Sequence, residues 1–344
     1  MTHIGIDLGN HSIKCVEVGM AAKFPTILNF AIYESDKLKL DFNNEEAINM
    51  YSLKLKEFFK ELDFPTNEVS LSLPESDVYL NVKIIPKMSD REIRNYINLQ
   101  ASDIFPENIA NLTYDYKIID QKDSTNIEVL IVAAKKERIE KYVSLIKKAG
   151  LSPKVFEAKT ISLSRIIDEE DGKDAVMILD FGYQYSTLHV SLKRIPRFIK
   201  TISIGSNSLN KALIQNLNLT NIQAENYKKA YGMNPQVAEG KIFNFLKPLI
   251  DSYILDIKRS VIYFMDKNKS VSISKIYLTG GMAKLPGLED YLQRNLNIPV
   301  EVFNPFNKIK VSSDLSKYEG NLKELSSSLT APIGLSGIEM IWVK

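Results

Sequence analysis

Ile4-Gly5-Ile6-Asp7-Leu8-Gly9-Asn10-His11-Ser12-Ile13-Lys14-Cys15-Val16-Glu17-Val18 is an apolar run interrupted once, at an Asp-x-Gly triplet. It reads as a strand, a tight turn beginning at Asp7, and a second strand returning beside the first. Gly9 lets the chain bend where a Cβ would obstruct it. Successive backbone N–H groups in such a turn can face one concavity and bind an anion. Asp7, at the strand end, is placed to face a hydrated Mg2+. A hairpin with an ordinary polar turn uses the same residues, so the triplet alone leaves both readings open.

The pattern then recurs. Ala175-Val176-Met177-Ile178-Leu179-Asp180-Phe181-Gly182-Tyr183-Gln184-Tyr185-Ser186-Thr187-Leu188-His189-Val190 is again strand, Asp-x-Gly turn, strand. Ile195–Ile204 adds a third strand, as Ile27–Tyr33 does in the first half. Such an internal repeat points to two similar units. Facing each other, they would bring both turns onto one ligand, with Asp7 and Asp180 near one Mg2+, an ion that prefers hard oxygen ligands. A further strand-to-helix turn, Thr279-Gly280-Gly281, would allow close backbone approach to an adenine ring.

Between the repeats, Glu45–Leu62 has helical periodicity through Ile48, Leu53, Leu55, Phe58, Phe59 and Leu62, and its lysines form a solvated face. Val69–Leu73 and Val78–Ile85 alternate as strands, each closed by a proline. Ser89 with Glu92 has capping-box spacing and opens a helix to about Ile104. Strands near Thr113–Ile119 and Glu128–Ala133, a helix Lys136–Ala149 and a short strand Lys154–Phe156 complete a small α+β insertion. Ala158–Ile167 is helical. After the second hairpin come helices 206–217 and 221–231, then a long one near Val237–Met265 that Pro248 would start or kink. Strand 274–280, helix 287–295, a Lys/Ser-rich stretch 308–328 of loop plus helix, and a last helix follow. Ile338–Val343 reads as a closing strand.

Composition narrows the function. A net charge of +2 gives no global field for nucleic acid or an anionic membrane. Cys15 is the sole cysteine, which excludes an internal disulfide and a cysteine-built metal site; it reads as a buried inert thiol in a reducing compartment. Only His3, His11 and His189 exist, far apart, so zinc and Ser-His-Asp chemistry find little support. No apolar run approaches the ~20 residues that span a bilayer, and a soluble chain is expected.

The motifs, in this order and spacing, resemble those of the actin-like ATPases: Asp7–Lys14 as phosphate-1, Asp180–Thr187 as phosphate-2 and Thr279–Leu285 as the adenosine motif. The likeness narrows to the PilM family of type IV pilus assembly and covers nearly the whole chain. Ser89-Asp90-Arg91-Glu92-Ile93 through Ile104-Phe105-Pro106, Val129–Arg138, Ile204-Gly205, Asp256–Ser260 and Val300–Phe306 carry it. The resemblance implies an α/β, two-domain actin-like fold of duplicated ribonuclease H-like domains with a small α+β insertion. Residues 1–86, 156–174 and 330–344 would form the first domain and 87–155 the insertion; 175–205 with 270–329 would form the second domain, and 206–269 a helical subdomain.

It implies ATP and Mg2+ as cofactors, with Asp7 and Asp180 facing the metal. Nucleotide contacts would come from Gly9, Asn10, His11, Ser12, Lys14, Gly182, Tyr183, Gln184, Tyr185, Ser186, Gly280, Gly281, Met282 and Leu285. Glu225 and Lys228, one helical turn apart, would meet the ribose or form a surface ion pair. Glu157 would orient the attacking water as the catalytic residue, or be a strand-end charge. Bulky Tyr183-Gln184-Tyr185 and Asn10-His11 stand where the family carries small residues, which points to nucleotide binding with slow or absent hydrolysis. The partner implied is the N-terminal cytoplasmic tail of a PilN-like inner-membrane protein, with pilus motor ATPases and self-association as further partners. The chain would then lie in the cytoplasm and reach the inner membrane only through its partner. A polymerising cell-division or cell-shape protein, and a small-molecule kinase of the same superfamily, are the alternatives.

Overall fold

A computed structural model describes residues 2–21, 24–35, 40–62, 64–169 and 172–337. The chain opens as a meander of β1 (Thr2–Leu8), β2 (Ser12–Ala21) and β3 (Phe24–Glu34), followed by α1 (Glu45–Leu62) and β4 (Glu68–Leu73). A small unit follows with β5 (Val78–Pro86), α2 (Asp90–Leu99), α3 (Ala101–Ile104), β6 (Leu112–Gln121) and β7 (Asn126–Lys135). The chain returns through α4 (Lys136–Lys148), β8 (Ser152–Ala158) and α5 (Lys159–Ile167). The second meander is β9 (Ala175–Phe181), β10 (Ser186–Leu192) and β11 (Ile195–Ile202). Three helices, α6 (Ser206–Leu217), α7 (Asn221–Tyr231) and α8 (Lys241–Lys267), precede β12 (Ile273–Gly280), α9 (Leu288–Leu296) and β13 (Val300–Val302). The two-residue β14 (Lys310–Val311) and α10 (Glu319–Ser336) complete the described chain.

The duplication is visible in the strand order. One sheet runs β14-β3-β2-β1-β4-β8 and the other β11-β10-β9-β12-β13. In both, the meander is antiparallel and the next two strands add parallel to its first strand. Connections that carry helices join the parallel strands in both halves. Between the halves lie α5 and α10, sharing one apolar cluster with both sheets: Val16 and Val18 from β2, Ile178 from β9, and Leu329 and Ile333 from α10. The approach of α10 to β1 is close enough that a Cβ on Gly5 would sit 2.1 Å from the Pro332 carbonyl oxygen.

Several expectations are corrected here. β5 pairs with β7 and not with the large sheet, so the small unit's sheet begins at Val78 and not after residue 86. Conversely, α4 and β8, expected within the insertion, belong to the first half: β8 pairs with β4, and Tyr142, Leu145 and Ile146 pack in that half's core. β14, expected in the second domain, pairs with β3. Leu53 is exposed rather than on the inward stripe of α1. The helix expected to reach Ile104 breaks at Gln100, giving α2 and α3. Pro248 lies inside the single helix α8 and does not start it. The expected closing strand 338–343 lies outside the described residues. The small unit also touches the second half, where Arg197 on β11 pairs with Glu128 on β7.

Candidate functional site

Both Asp-x-Gly turns open into one cleft between the halves, with a volume of about 1090 Å3. Asp7 and Asp180 each occupy the next-to-last position of the first meander strand, so the duplication delivers two carboxylates to the cleft floor. The first turn is pinned by the Tyr51 hydroxyl, which donates to the Gly9 carbonyl at 3.0 Å, and by the Leu40 N–H, which donates to Asn10 Oδ1 at 2.9 Å. The second is pinned by the start of α6: the N–H groups of Ser206 and Asn207 donate to the carbonyls of Gly182 and Tyr183.

Lys159 joins the two carboxylates. Its Nζ lies 3.2 Å from Asp7 Oδ2 and 2.9 Å from Asp180 Oδ2. Ser72 Oγ donates to Asp7 Oδ1 at 2.7 Å, and Lys14 Nζ is 4.0 Å from Asp7 Oδ2. Burial raises the cost of the Asp7 charge, but Lys159, Lys14 and Ser72 outweigh it and hold the carboxyl below its usual range. Burial likewise opposes the Lys159 charge, and the carboxylates of Asp180 and Asp7 overcome it, holding the ammonium above its ordinary range. Lys14, with less compensation, is pulled down by burial. Glu75 is pushed up by burial, and it anchors the start of α5 by accepting from the Thr160 N–H at 2.9 Å.

Within the lining of the cleft the two turns touch. The rings of His11 and Tyr183 stack at 4.3 Å with a 6° interplanar angle, and Asn10 Nδ2 donates to Gln184 Oε1 at 3.2 Å. The bulky residues that distinguish these turns therefore meet each other. Burial raises the neighbouring Tyr185 hydroxyl to about 12, so it stays protonated at neutral pH.

At the far wall, Lys228 on α7 is buried, donates to Glu225 Oε2 at 2.6 Å and bonds Ser206 Oγ. Asn210 Nδ2 donates to the same Glu225 oxygen at 2.8 Å. Burial lowers Lys228 below its ordinary range; Glu225 lies below its own because Lys228 and Asn210 more than offset its burial. This pair is preformed and lines the cleft, as do Gly281, Met282 and Leu285. Gly280 stands just behind the lining with φ +87°, and a Cβ there would come within 2.7 Å of Asp180 Oδ1. It is required for the aspartate's position. Ser186 is also behind the wall, its hydroxyl donating to the Ile204 carbonyl.

Glu157 departs from expectation. It lies beyond the residues that line the cleft and pairs with the buried Arg165, whose Nη1 also donates to the Gly334 carbonyl at 2.8 Å. Burial raises its carboxyl and Arg165 only partly offsets this. Its geometry is that of a structural ion pair tying β8, α5 and α10. The residue that reading the sequence missed is Lys159, two positions on, which faces the aspartates instead. No local signal marks it.

The donor chemistry of the floor suits a hydrated divalent ion: two carboxylate oxygens converge on one point, and Mg2+ is commonly held by one or two carboxylates plus substrate phosphates. The Lys159 ammonium stands at that point of convergence.

The family model described as "Type IV pilus assembly protein PilM" matches residues 5–337. A solved PilM-PilN type IV pilus biogenesis complex contains a chain with TM-score 0.84 and 21% identity over 99% of each chain. The ethanolamine utilization protein EutJ from Carboxydothermus hydrogenoformans gives TM-score 0.55 and 16% identity, covering 98% of this chain and 89% of that one. MreB5 of Spiroplasma citri bound to AMPPNP gives TM-score 0.54 and 13% identity, covering 98% and 96%. At such identities these likenesses establish the actin-like fold.

Proposed function

The chain belongs to the PilM family of type IV pilus assembly proteins, and on that premise we propose that it is a nucleotide-loaded scaffold that captures the N-terminal cytoplasmic tail of a PilN-like inner-membrane protein. The observation that carries the nucleotide half is the convergence of Asp7 and Asp180, from duplicated turns, on one point of the cleft. ATP would lie with its phosphates between the turns and its ribose toward Glu225 and Lys228. Gly281, Met282 and Leu285 would face the base. Mg2+ would supply charge neutralisation between the phosphates and the two aspartates, which would hold it through its water shell.

Turnover is slow or absent in this reading, because Glu157, the acidic residue that would aim a water, is committed to Arg165. The partner half is supported by the related chain solved in a PilM-PilN complex and by a separate three-stranded unit with open edge strands β5 and β6, a recognition surface for an extended peptide. Among the described residues no helix is long and apolar enough to cross a membrane, which is consistent with membrane association through that partner.

Mass spectrometry of nucleotide released from the purified protein tests the first half: recovered ATP supports it, and an empty cleft that takes up no added ATP refutes it. Titration with the tail of a PilN-like protein from the same genome tests the second. Absence of binding with and without ATP removes the scaffold reading.

A further inference from the structure

The floor of the cleft brings a cation of its own. Lys159 is the first residue of α5, a helix held between the two halves, and the Thr160 N–H is fixed to Glu75 Oε1 at 2.9 Å. The side chain reaches the point where the carboxylates of the two halves meet, 3.2 Å from one and 2.9 Å from the other. Lys14 adds a second ammonium 4.0 Å from Asp7. The negative charge that two aspartates would present to an incoming triphosphate is thus already compensated by the chain. Mg2+ gives up its waters reluctantly and would face the aspartates with that shell in place, which is bulkier than an ammonium, so the hydrated ion and this ammonium cannot share the space between the carboxylates. The ammonium is also tethered, which gives it a high effective concentration at the site.

Resting on the nucleotide reading above, we infer that Lys159 is a resident counter-cation that lets this cleft hold a nucleoside triphosphate without a divalent metal. Its ammonium neutralises Asp7 and Asp180 in the empty cleft and screens them from the phosphates in the filled one. Mg2+, when present with the nucleotide, must displace that ammonium from the aspartates. The inference separates two duties that a single metal ion otherwise performs: keeping paired carboxylates tolerable and admitting a polyanion between them.

The test is the affinity of the full chain for unmodified ATP, measured by isothermal titration calorimetry in excess Mg2+ and in EDTA, for wild type and Lys159→Met. The wild type is expected to change less than about fivefold between the buffers, whereas Lys159→Met loses about tenfold to a hundredfold in EDTA and regains it in Mg2+, the range for removing one charged hydrogen-bonding partner. Thermal melts without nucleotide give a second readout: Mg2+ should stabilise Lys159→Met and leave the wild type nearly unmoved. Wild-type protein that releases ATP in EDTA, or Lys159→Met that binds ATP equally in both buffers, overturns the inference while leaving the nucleotide reading intact. Failure of the wild type to bind in either buffer overturns both. Should Lys159→Met fail to fold, the wild-type comparison alone decides.

Discussion

The two halves share a strand order and differ at nearly every matched position that bears on the cleft. Asp7 of β1 pairs in register with Lys14 on the returning strand, whereas Asp180 of β9 pairs with Thr187. Beside Asp7 stands Ser72, which donates to it; beside Asp180 stands Thr279, which donates instead to the Ser327 carbonyl of α10. Two steps along the returning strand, buried Val16 in the first half matches buried His189 in the second. The first half pairs Ser72 with Glu157; continuing the β12–β13 register by one residue puts Phe303 at the equivalent place. Duplication therefore preserved the backbone and the aspartates, and the supporting side chains diverged into a charged jaw and an apolar one.

The largest effect expected from breaking this difference is at His189. Among the described residues neither ring nitrogen has a hydrogen-bond partner, and burial lowers its pKa to about 3 from 6.5. The unfolded chain then binds a proton that the folded chain refuses, so stability is full above pH 6.5 and falls as the pH drops toward 3. The loss amounts to about 4–5 kcal/mol across that window. His189→Val, which copies the first half, should remove this share of the acid sensitivity in urea denaturation followed from neutral to acidic pH; an unchanged pH profile would refute it.

A smaller effect is expected at the opposite jaw. Arg165→Met leaves Glu157 buried without its partner and should cost about 3–5 kcal/mol in denaturant unfolding. Glu157→Gln should lower stability while leaving nucleotide affinity unchanged, as suits a residue behind the cleft. A variant that keeps full stability and loses only turnover would return Glu157 to a catalytic role.

The smallest effect joins the two halves. Tyr183→Ala deletes the ring stacked on His11, an interaction worth about 0.5–1.5 kcal/mol. Nucleotide release measured by stopped flow should accelerate about tenfold at most. An unchanged release rate would show that the stack does not latch the cleft.

Sequence reading recovered what local chemistry writes into a few adjacent residues. The Asp-x-Gly turns are such features, and so are the proline and capping signals around β4, β5 and α2. It failed where meaning depends on distant chain. Val78–Pro86 alternates as any half-buried strand does, and nothing within it says which sheet it joins. Lys159 looks like one more surface lysine, because its two partners come from different halves. Glu157 attracted attention by its charge, while its partner Arg165 lies at a spacing set by a strand-to-helix junction and not by any helical repeat. The bulk at Tyr183 and His11 stood out as a departure, but its explanation, each ring covering the other, required both turns at once.

The close seat of Gly5 under the Pro332 carbonyl has a mechanical consequence. It clamps α10 to β1 at the level where proline, having no N–H, omits one rung of the helix ladder. Five residues ahead, Ser327 is bonded to the other sheet in both directions, its carbonyl accepting from Thr279 and its hydroxyl donating to the Gly280 carbonyl of β12. The omitted rung therefore falls between a turn of α10 fastened to the second half and a turn fastened to the first, which makes it the joint of a strut that spans both.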